Sequence, residues 1–293
     1  MKLIKQSFEI LEQKDFSLIG IKKFIERCGR VCYKSEDRIT DDSYEKFVNM
    51  LVKRDHARPL EFGTVHLQMY ISDFHKLRDT LCINNMWNDQ WIKYHYAGNL
   101  TYVTTNYRYY LAIIKVFPSA EEDFDPQDDE LYPKRYTVHF ILSRGIMDEF
   151  RTHVGLSHLA ESTRYCNYSK DKFDNQITFI QPSWIILDKE IASINELCLL
   201  SGQYGRENPN LRYLASLVEA NYTYILLLNK GWTPQQARDV LPLSVKSELI
   251  SCGFEDAWEN FFYRRCDNAA HPMAREIAIP LQERFKELGY INK

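Results

Sequence analysis

Two short segments carry side chains suited to binding an anion. Glu161–Arg164 places two hydroxyls beside an arginine. Hydroxyl groups donate hydrogen bonds and a guanidinium can hold two oxygens at once, so this set suits a phosphate. The alternative is a helix cap beside a surface charge, and the spacing alone leaves both interpretations open.

The second segment, Gln236–Pro242, contains Arg238 close to a strong helix start. Thr233-Pro234-Gln235-Gln236 offers a capping threonine, a proline at the first position and a glutamine at the third. Because a helix N-terminus carries a positive partial charge, an arginine in the first turn predicts an anion site. The alternative is a surface arginine paired with Asp239 or Glu248.

Two further segments combine charged residues with aromatic or loop residues. Asn260–Asp267 sets three aromatic residues beside Arg264 and Arg265, which could hold a planar ring. The same pattern is typical of one packed helix face with two solvated arginines. His56–Thr64 brings histidine, arginine and glutamate into a connection that either lines a site or is simply charged.

Composition limits the classes of protein that these segments can belong to. The chain has 293 residues, 45% hydrophobic and 26% charged, which is typical of a globular protein. A net charge of −3 provides no basic field for nucleic acid. The uncharged stretch Asn175–Leu187 is much shorter than the roughly 20 residues of a membrane span. The charged N-terminus and seven scattered cysteines predict a cytoplasmic protein with free thiols and no metal.

Helices and strands interspersed without a regular βαβ period favour an α+β fold in one mixed domain over residues 1–293. The acidic segment near 119–130 is interpreted as a solvated loop, and residues 186–230 as a helical insertion. The predicted strands are Gly63–Ile71, Tyr136–Ser143 and the segment from Leu241 to Ser251. The predicted helices are one opened by a capping box at Asp42–Glu45, Ile146 to about His153, Asn210–Asn229, Glu255–Arg265 and one from His271-Pro272.

The four segments together resemble the flavin-dependent thymidylate synthases. The resemblance spans roughly 34–285 and is strongest at Glu161–Phe173, Gln235–Pro242 and Phe261–Pro272. It implies a central antiparallel sheet flanked by helices, and a homotetramer whose subunits share active sites. It also implies methylation of dUMP at C5, with methylenetetrahydrofolate as the carbon donor and FAD, reduced by NADPH, as the hydride source.

The resemblance assigns roles by position in the matching motifs. Arg265 is the implied catalytic residue, because it matches the arginine that contacts the uracil ring and can stabilise charge there. The implied dUMP-binding residues are Glu149, Ser162, Thr163, Arg164, Arg238 and Arg265. The implied FAD-binding residues are His56, Arg58, Glu61, Arg151, His153 and Asn260.

The sequence departs from the family on the flavin side. The signature of the family is Arg-His-Arg, and this chain has Thr152-His153-Val154. Arg151 lies one residue earlier, which on a helix is about 100° of rotation away. Phe254 and Asp256 stand where the family typically has Asn and Arg. Three hypotheses stay open: a working thymidylate synthase with a rearranged flavin site, a different modification of a pyrimidine nucleotide, and nucleotide binding without catalysis.

Overall fold

The computed structural model describes residues 1–162, 164, 166–170, 173, 175–185 and 208–291. The strands are β1 (Lys2–Ile4), β2 (Ser7–Leu11), β3 (Thr64–Tyr70), β4 (Ile92–Ala97), β5 (Leu100–Asn106), β6 (Phe124–Asp125), β7 (Arg135–Ser143), β8 (Ser157–Ala160), β9 (Thr178–Ile180) and β10 (Lys246–Phe254). The helices are α1 (Leu18–Tyr33), α2 (Ser43–Lys53), α3 (Ile71–Ile83), α4 (Tyr107–Val116), α5 (Arg144–Phe150), α6 (Pro209–Asn229), α7 (Pro234–Ala237), α8 (Glu255–Arg265) and α9 (Pro272–Glu287).

The strands form two antiparallel sheets of four strands each. Sheet A has the order β2-β7-β10-β8, and sheet B has the order β4-β5-β3-β6. A short parallel pair joins β1 to β9. The α+β prediction with antiparallel strands is therefore confirmed, and the antiparallel structure is divided between the two sheets.

Sheet A is buried on both faces, which explains why β10 is almost continuously buried along its length. Phe140 of the sheet packs with Trp258 of α8 and Phe285 of α9 in one apolar cluster. The Trp258 indole also donates a hydrogen bond of 3.0 Å to the Tyr136 carbonyl. On the other side Ile250 packs in a cluster with residues of α1. This packing fixes α8, and with it Arg265 at its end, against sheet A.

Sheet B has its own core and meets sheet A through polar contacts. Its strands pack with α3 and α4 around Leu67, Phe74 and Val103. Arg135, the first residue of β7 in sheet A, donates to the Glu61 carbonyl at 2.7 Å and to the Thr64 hydroxyl at 3.2 Å. The segment that leads into β3 is therefore tied to sheet A, and residues from both sheets can contribute to one site.

The segment that carries the family signature is a loop between α5 and β8. The predicted helix to His153 ends earlier, at Phe150, and Arg151 is its C-terminal cap. Backbone turns then run from Phe150 to His153, and Gly155 has a φ of 97°, a left-handed conformation suited to glycine. The helical rotation expected for Arg151 does not apply, because the residue lies where the helix ends.

The other predicted elements agree with the structure except at their ends and caps. β3, β7, α8 and α9 are confirmed, and β10 begins later than expected, at Lys246. The capping box at Asp42 is wrong, because its side chain makes no capping hydrogen bond in α2. The box at Thr233 is present, but α7 has four residues, so Arg238 caps its C-terminus and is not in its first turn. Pro242 shortly afterwards disfavours a longer helix.

The acidic segment has more structure than the sequence indicated, whereas the helix predicted at Asn210–Asn229 is confirmed as α6. Within 119–130, β6 pairs with β3, and a 3₁₀ helix, Pro118–Glu121, precedes it. In α6 the buried positions are Leu214, Leu217 and Tyr224, whereas Tyr222 is 62% exposed. Residues 186–207 of the insertion lie outside the described residues. Among the described helices, none has the length and apolar character that a membrane crossing requires.

Gly253 in β10 sets the distance between sheet A and the signature loop. A Cβ atom there would lie 2.5 Å from Leu156 Cδ2 and 3.0 Å from the Gly155 carbonyl oxygen. We expect Gly253→Ala to lower the free energy of unfolding by about 1–3 kcal/mol through overpacking, measured by urea denaturation.

Gly145 in α5 is the matched control, since a Cβ atom there would be 3.5 Å from Leu243 Cβ, an ordinary contact. We expect Gly145→Ala to leave stability unchanged or raise it, because alanine is favoured over glycine in a helix. Equal urea midpoints for wild type and Gly253→Ala would show that the loop does not press against β10.

Candidate functional site

Two adjoining cavities bring together residues from the signature loop and the loop before sheet B. Cavity I, of about 260 Å³, is lined by Arg58, Glu61, Gln90, Trp91 and residues 151–158. Cavity II, of about 400 Å³, is lined by Cys32, Tyr33, residues 55–59, Arg108 and Leu159. Arg58 lines both cavities, so they are neighbours. Of the residues predicted to bind FAD, cavity I contains Arg58, Glu61, Arg151 and His153, and cavity II adds His56.

Arg265 fastens the signature loop to the end of α8. Its Nε donates to His153 Nε2 at 2.7 Å, and its Nη1 donates to Glu149 Oε2 at 2.8 Å. Its Nη2 donates to the Glu149 carbonyl at 2.8 Å and to Thr152 Oγ1 at 3.3 Å. These bonds use four of the five N–H donors of the guanidinium and leave one on Nη1, and Arg265 itself lines neither cavity. The side chain is only 16% exposed, so the loop is held by a desolvated cation.

His153 is a neutral imidazole whose tautomer is set by Arg265. The residue is 5% exposed, and Phe261 packs against its ring in an edge-on arrangement at 4.9 Å. Burial, together with the positive charge of Arg265, lowers the pKa of His153 to about 4. Because Nε2 accepts from Arg265, the proton of the neutral ring resides on Nδ1.

His158 holds the backbone of the same loop from the other side. Its Nε2 donates to the His153 carbonyl at 3.2 Å, and its Nδ1 accepts from the Ser251 hydroxyl at 2.9 Å. Burial lowers the pKa of His158 to about 4; its bond to the carbonyl opposes that change, and the nearby charges of Arg151 and Arg58 reinforce it. No motif assigned a role to His158 or Ser251, and in the structure they support the His153 backbone.

Glu61 is a fully buried carboxylate that collects contacts from three elements. It is 1% exposed and accepts from Arg108 Nη1 at 2.6 Å and from Ser157 Oγ at 2.6 Å. Arg58 Nη1 lies 3.5 Å from Oε2, the oxygen that also accepts from Ser157. A buried charge requires such partners, since an unpaired one is strongly destabilising. The predicted residue Glu61 therefore lies buried in the wall of cavity I, where its carboxylate positions the side chains of Arg108 and Ser157.

The chain matches the model of one protein family. The model of the family described as thymidylate synthase complementing protein matches residues 134–288, more than half of the chain. The chain belongs to this family. The resemblance found from the motifs is thereby confirmed. The matched residues include the signature loop, Arg238 and Arg265, whereas Arg58, Glu61, Trp91 and Arg108 lie before the matched range.

Other comparisons are weaker. The crystal structure of a UMP/dUMP methylase PolB from Streptomyces cacaoi bound with 5-Br UMP is 12% identical, with a TM-score of 0.44, covering 99% of this chain and 92% of that chain. The same methylase bound with 5-Br dUMP is 15% identical, with a TM-score of 0.41, covering 99% of this chain and 93% of that chain. At these values neither likeness bears on what this chain binds. No curated protein matches the sequence significantly.

The residues that the family resemblance assigns to dUMP are not all in one place. Glu149 belongs to the Arg265 cluster. Ser162 is half-buried, with its backbone N–H 3.4 Å from the Cys32 carbonyl oxygen, and Arg164 is exposed. Thr163 lies outside the described residues. The predicted phosphate segment therefore begins beside the C-terminal end of α1, away from α8.

A buried network of charges anchors this phosphate segment. Glu161 accepts from Lys246 Nζ at 2.9 Å and from the Tyr168 hydroxyl at 3.1 Å. Lys246 also contacts Glu248, which accepts from His139 at 2.8 Å. Burial alone would lower the pKa of Lys246, but the two carboxylates raise it above its usual value. The network thus keeps Lys246 charged and fixes the backbone just before Ser162.

Arg238 lies in a separate depression of about 290 Å³ that it shares with Arg144, Asp239 and residues 241–243 and 245. Two guanidiniums on one depression suit an anion, and the carboxylate of Asp239 lies 3.8 Å from Arg238 Nε. Asn260, predicted to bind FAD, is exposed on α8 and accepts from Arg264 at 3.3 Å, outside both cavities.

A cavity of about 680 Å³ lies elsewhere, between β2, β7 and the C-terminal end of the described chain. His66 and Tyr136 are among its lining residues, and none of the predicted site residues lines it. We place the candidate site at cavities I and II because the predicted residues converge there. In the described part of the chain, no three potential metal ligands cluster.

The tautomer and pKa of His153 can be measured directly. We expect nitrogen-detected NMR to show a neutral ring protonated on Nδ1 that titrates near pH 4. In Arg265→Gln the pKa should rise toward the ordinary value of about 6.5, because a nearby cation is removed while burial remains.

His139 serves as the internal reference in the same spectra, since it bonds to Glu248 and not to the loop. The Arg265 substitution should leave the ring nitrogen chemical shifts of His139 unchanged. A proton on His153 Nε2, or a pKa unaffected by the substitution, would contradict the contact between Arg265 and His153.

Proposed function

We propose that this chain catalyses the reductive methylation of dUMP at C5 to give dTMP. Methylenetetrahydrofolate would supply the carbon, and FAD, reduced by NADPH, the hydride. The observation that carries this proposal is the bond from Arg265 to His153, which are 112 residues apart in sequence. Two motifs of the family thus fold into one cluster, and that cluster borders a cavity lined by further predicted residues.

The side chains at cavities I and II fit a flavin dinucleotide by their chemistry. Arg58, Arg108 and Arg151 offer guanidinium donors for phosphate oxygens. Trp91 offers an aromatic surface, and Gln90 an amide donor and acceptor. The two cavities together have the size range of small-molecule sites. This donor set supports a flavin site even though Thr152 and Val154 replace the signature arginines.

Hydride chemistry would belong to the bound flavin, and the protein would bind and orient the reactants. Arg265 places a positive charge at the loop and retains one N–H for a substrate oxygen. That charge would stabilise the negative charge that develops in the uracil ring when C5 becomes nucleophilic. Because His153 stays neutral above about pH 4, it adds no second positive charge beside the guanidinium.

The separate positions of Arg238 and Arg265 support a site completed by a second subunit. Arg238 and Arg144 share one depression, whereas Arg265 is held by the signature loop. We propose that the phosphate of dUMP is bound by Ser162, Thr163, Arg164 and Arg238 of one subunit, and its ring by Arg265 of another. A homotetramer with shared sites would bring these residues together.

The product of a defined mixture tests the proposed reaction. Purified protein is incubated with dUMP, methylenetetrahydrofolate, FAD and NADPH under low oxygen, and the nucleotide is analysed by mass spectrometry. We expect one added methyl group for wild type. Arg265→Gln should lower the rate at least about 100-fold, since removing one donor of this kind commonly costs that much.

Arg264→Gln is the matched control, because Arg264 lies next to Arg265 on α8 and contacts only Asn260 in the described structure. Its rate should stay close to that of wild type. A mixed tetramer of Arg238→Gln and Arg265→Gln subunits should regain activity that each variant lacks. Unmodified dUMP with wild type, while a known member of the family is active in the same mixture, would refute the proposed reaction.

A further inference from the structure

Arg108 is an arginine that no motif of the family brought to the site. It lies in the first turn of α4, directly after β5, and before the range that the family model matches. Its Nη1 donates to Glu61 Oε1 at 2.6 Å, and its guanidinium lies 5.6 Å from the centre of the Trp91 ring. The buried carboxylate and the indole together fix the plane of this guanidinium.

The guanidinium of Arg108 is also accessible from cavity II. Its side chain is 42% exposed, and one of its five N–H donors is used by Glu61. Arg58, which lies 3.5 Å from the same carboxylate, lines cavities I and II and is still more exposed. Two oriented guanidiniums therefore meet where the two cavities adjoin, with donors available for an anion.

The charges that line the two cavities leave an excess of positive charge. The cations are Arg58, Arg108 and Arg151, and the carboxylates are Glu61 and Asp55. His153 and His158 are neutral at physiological pH because burial lowers the pKa of each to about 4. An anionic ligand would balance this excess, and a phosphate group matches the fork of a guanidinium.

We infer that Arg108 and Arg58 bind the pyrophosphate of the flavin dinucleotide, in place of the two signature arginines that this chain lacks. This inference rests on the proposed function, which supplies the flavin. Thr152 cannot take that role, since its hydroxyl is used by Arg265 and the Glu149 carbonyl. Val154 has no polar side-chain atom. The cationic contacts thus come from Arg58, in the segment before β3, and from Arg108, at the start of α4.

A comparison of three flavins that differ in their phosphate groups can distinguish a contact to phosphate from a contact to the flavin ring. Affinities for FAD, FMN and riboflavin are measured by fluorescence titration, without substrate or turnover. Arg108→Gln should weaken FAD binding about 10- to 100-fold, the range expected for loss of a charge-assisted hydrogen bond. Riboflavin, which carries no phosphate, should bind the variant as it binds wild type. Wild-type affinity for FAD should also fall with salt more steeply than in the variant.

Two more variants test whether a loss of FAD affinity in Arg108→Gln comes from a change in the fold. Arg58→Gln leaves the short Arg108–Glu61 bond in place, so it should weaken FAD binding without altering thermal stability. Arg27→Gln is the matched control, since Arg27 is half exposed, pairs with Glu9 and lines neither cavity. It should leave all three affinities unchanged.

Each outcome decides between this inference and the proposed function. Unchanged FAD affinity in both Arg108→Gln and Arg58→Gln would overturn the inference alone. An equal loss of FAD and riboflavin binding would also overturn it, because a phosphate contact cannot affect riboflavin. No FAD binding by wild type would overturn the flavin site itself, and with it both proposals.

Discussion

The contact between Arg265 and the signature loop is the interaction on which the site depends. A guanidinium that is largely removed from water needs acceptors on most of its donors, and Glu149, Thr152 and His153 provide them. The loop follows a short helix and contains a left-handed glycine, so its own backbone bonds could not hold it. The position of Arg265 is in turn fixed by the packing of α8 on sheet A, which includes Trp258.

Glu61 performs the corresponding task for the N-terminal part of the chain. The buried carboxylate requires Arg108 and Ser157, and its backbone carbonyl receives Arg135. These bonds join α4, the loop before sheet B, the first residues of β8 and the start of β7. The segments that flank the strands of sheet B therefore reach the same cavity as the signature loop, although they lie outside the range of the family match.

The sequence was informative where local pattern and local structure agree. The sequence predicted α8 with its observed bounds, and the family resemblance assigned Arg265 to dUMP and His153 to FAD. It was less informative where distant packing decides. Arg108 and Glu61 are 47 residues apart, and no local pattern indicates that they meet. The early end of α5 and the four-residue length of α7 also depend on tertiary context, and they moved Arg151 and Arg238 from their expected places.

Hydrogen exchange measured by mass spectrometry, with and without FAD, tests the central claim most directly, namely that the signature loop, Glu61 and Arg108 form one flavin site. Our account predicts protection on FAD binding in peptides that cover 56–61, 90–91, 107–109 and 151–158. Protection confined to 10–16, 128–137 and 288–290, which contain the lining residues of the separate 680 Å³ cavity, would contradict it. That result would place the ligand away from Arg265.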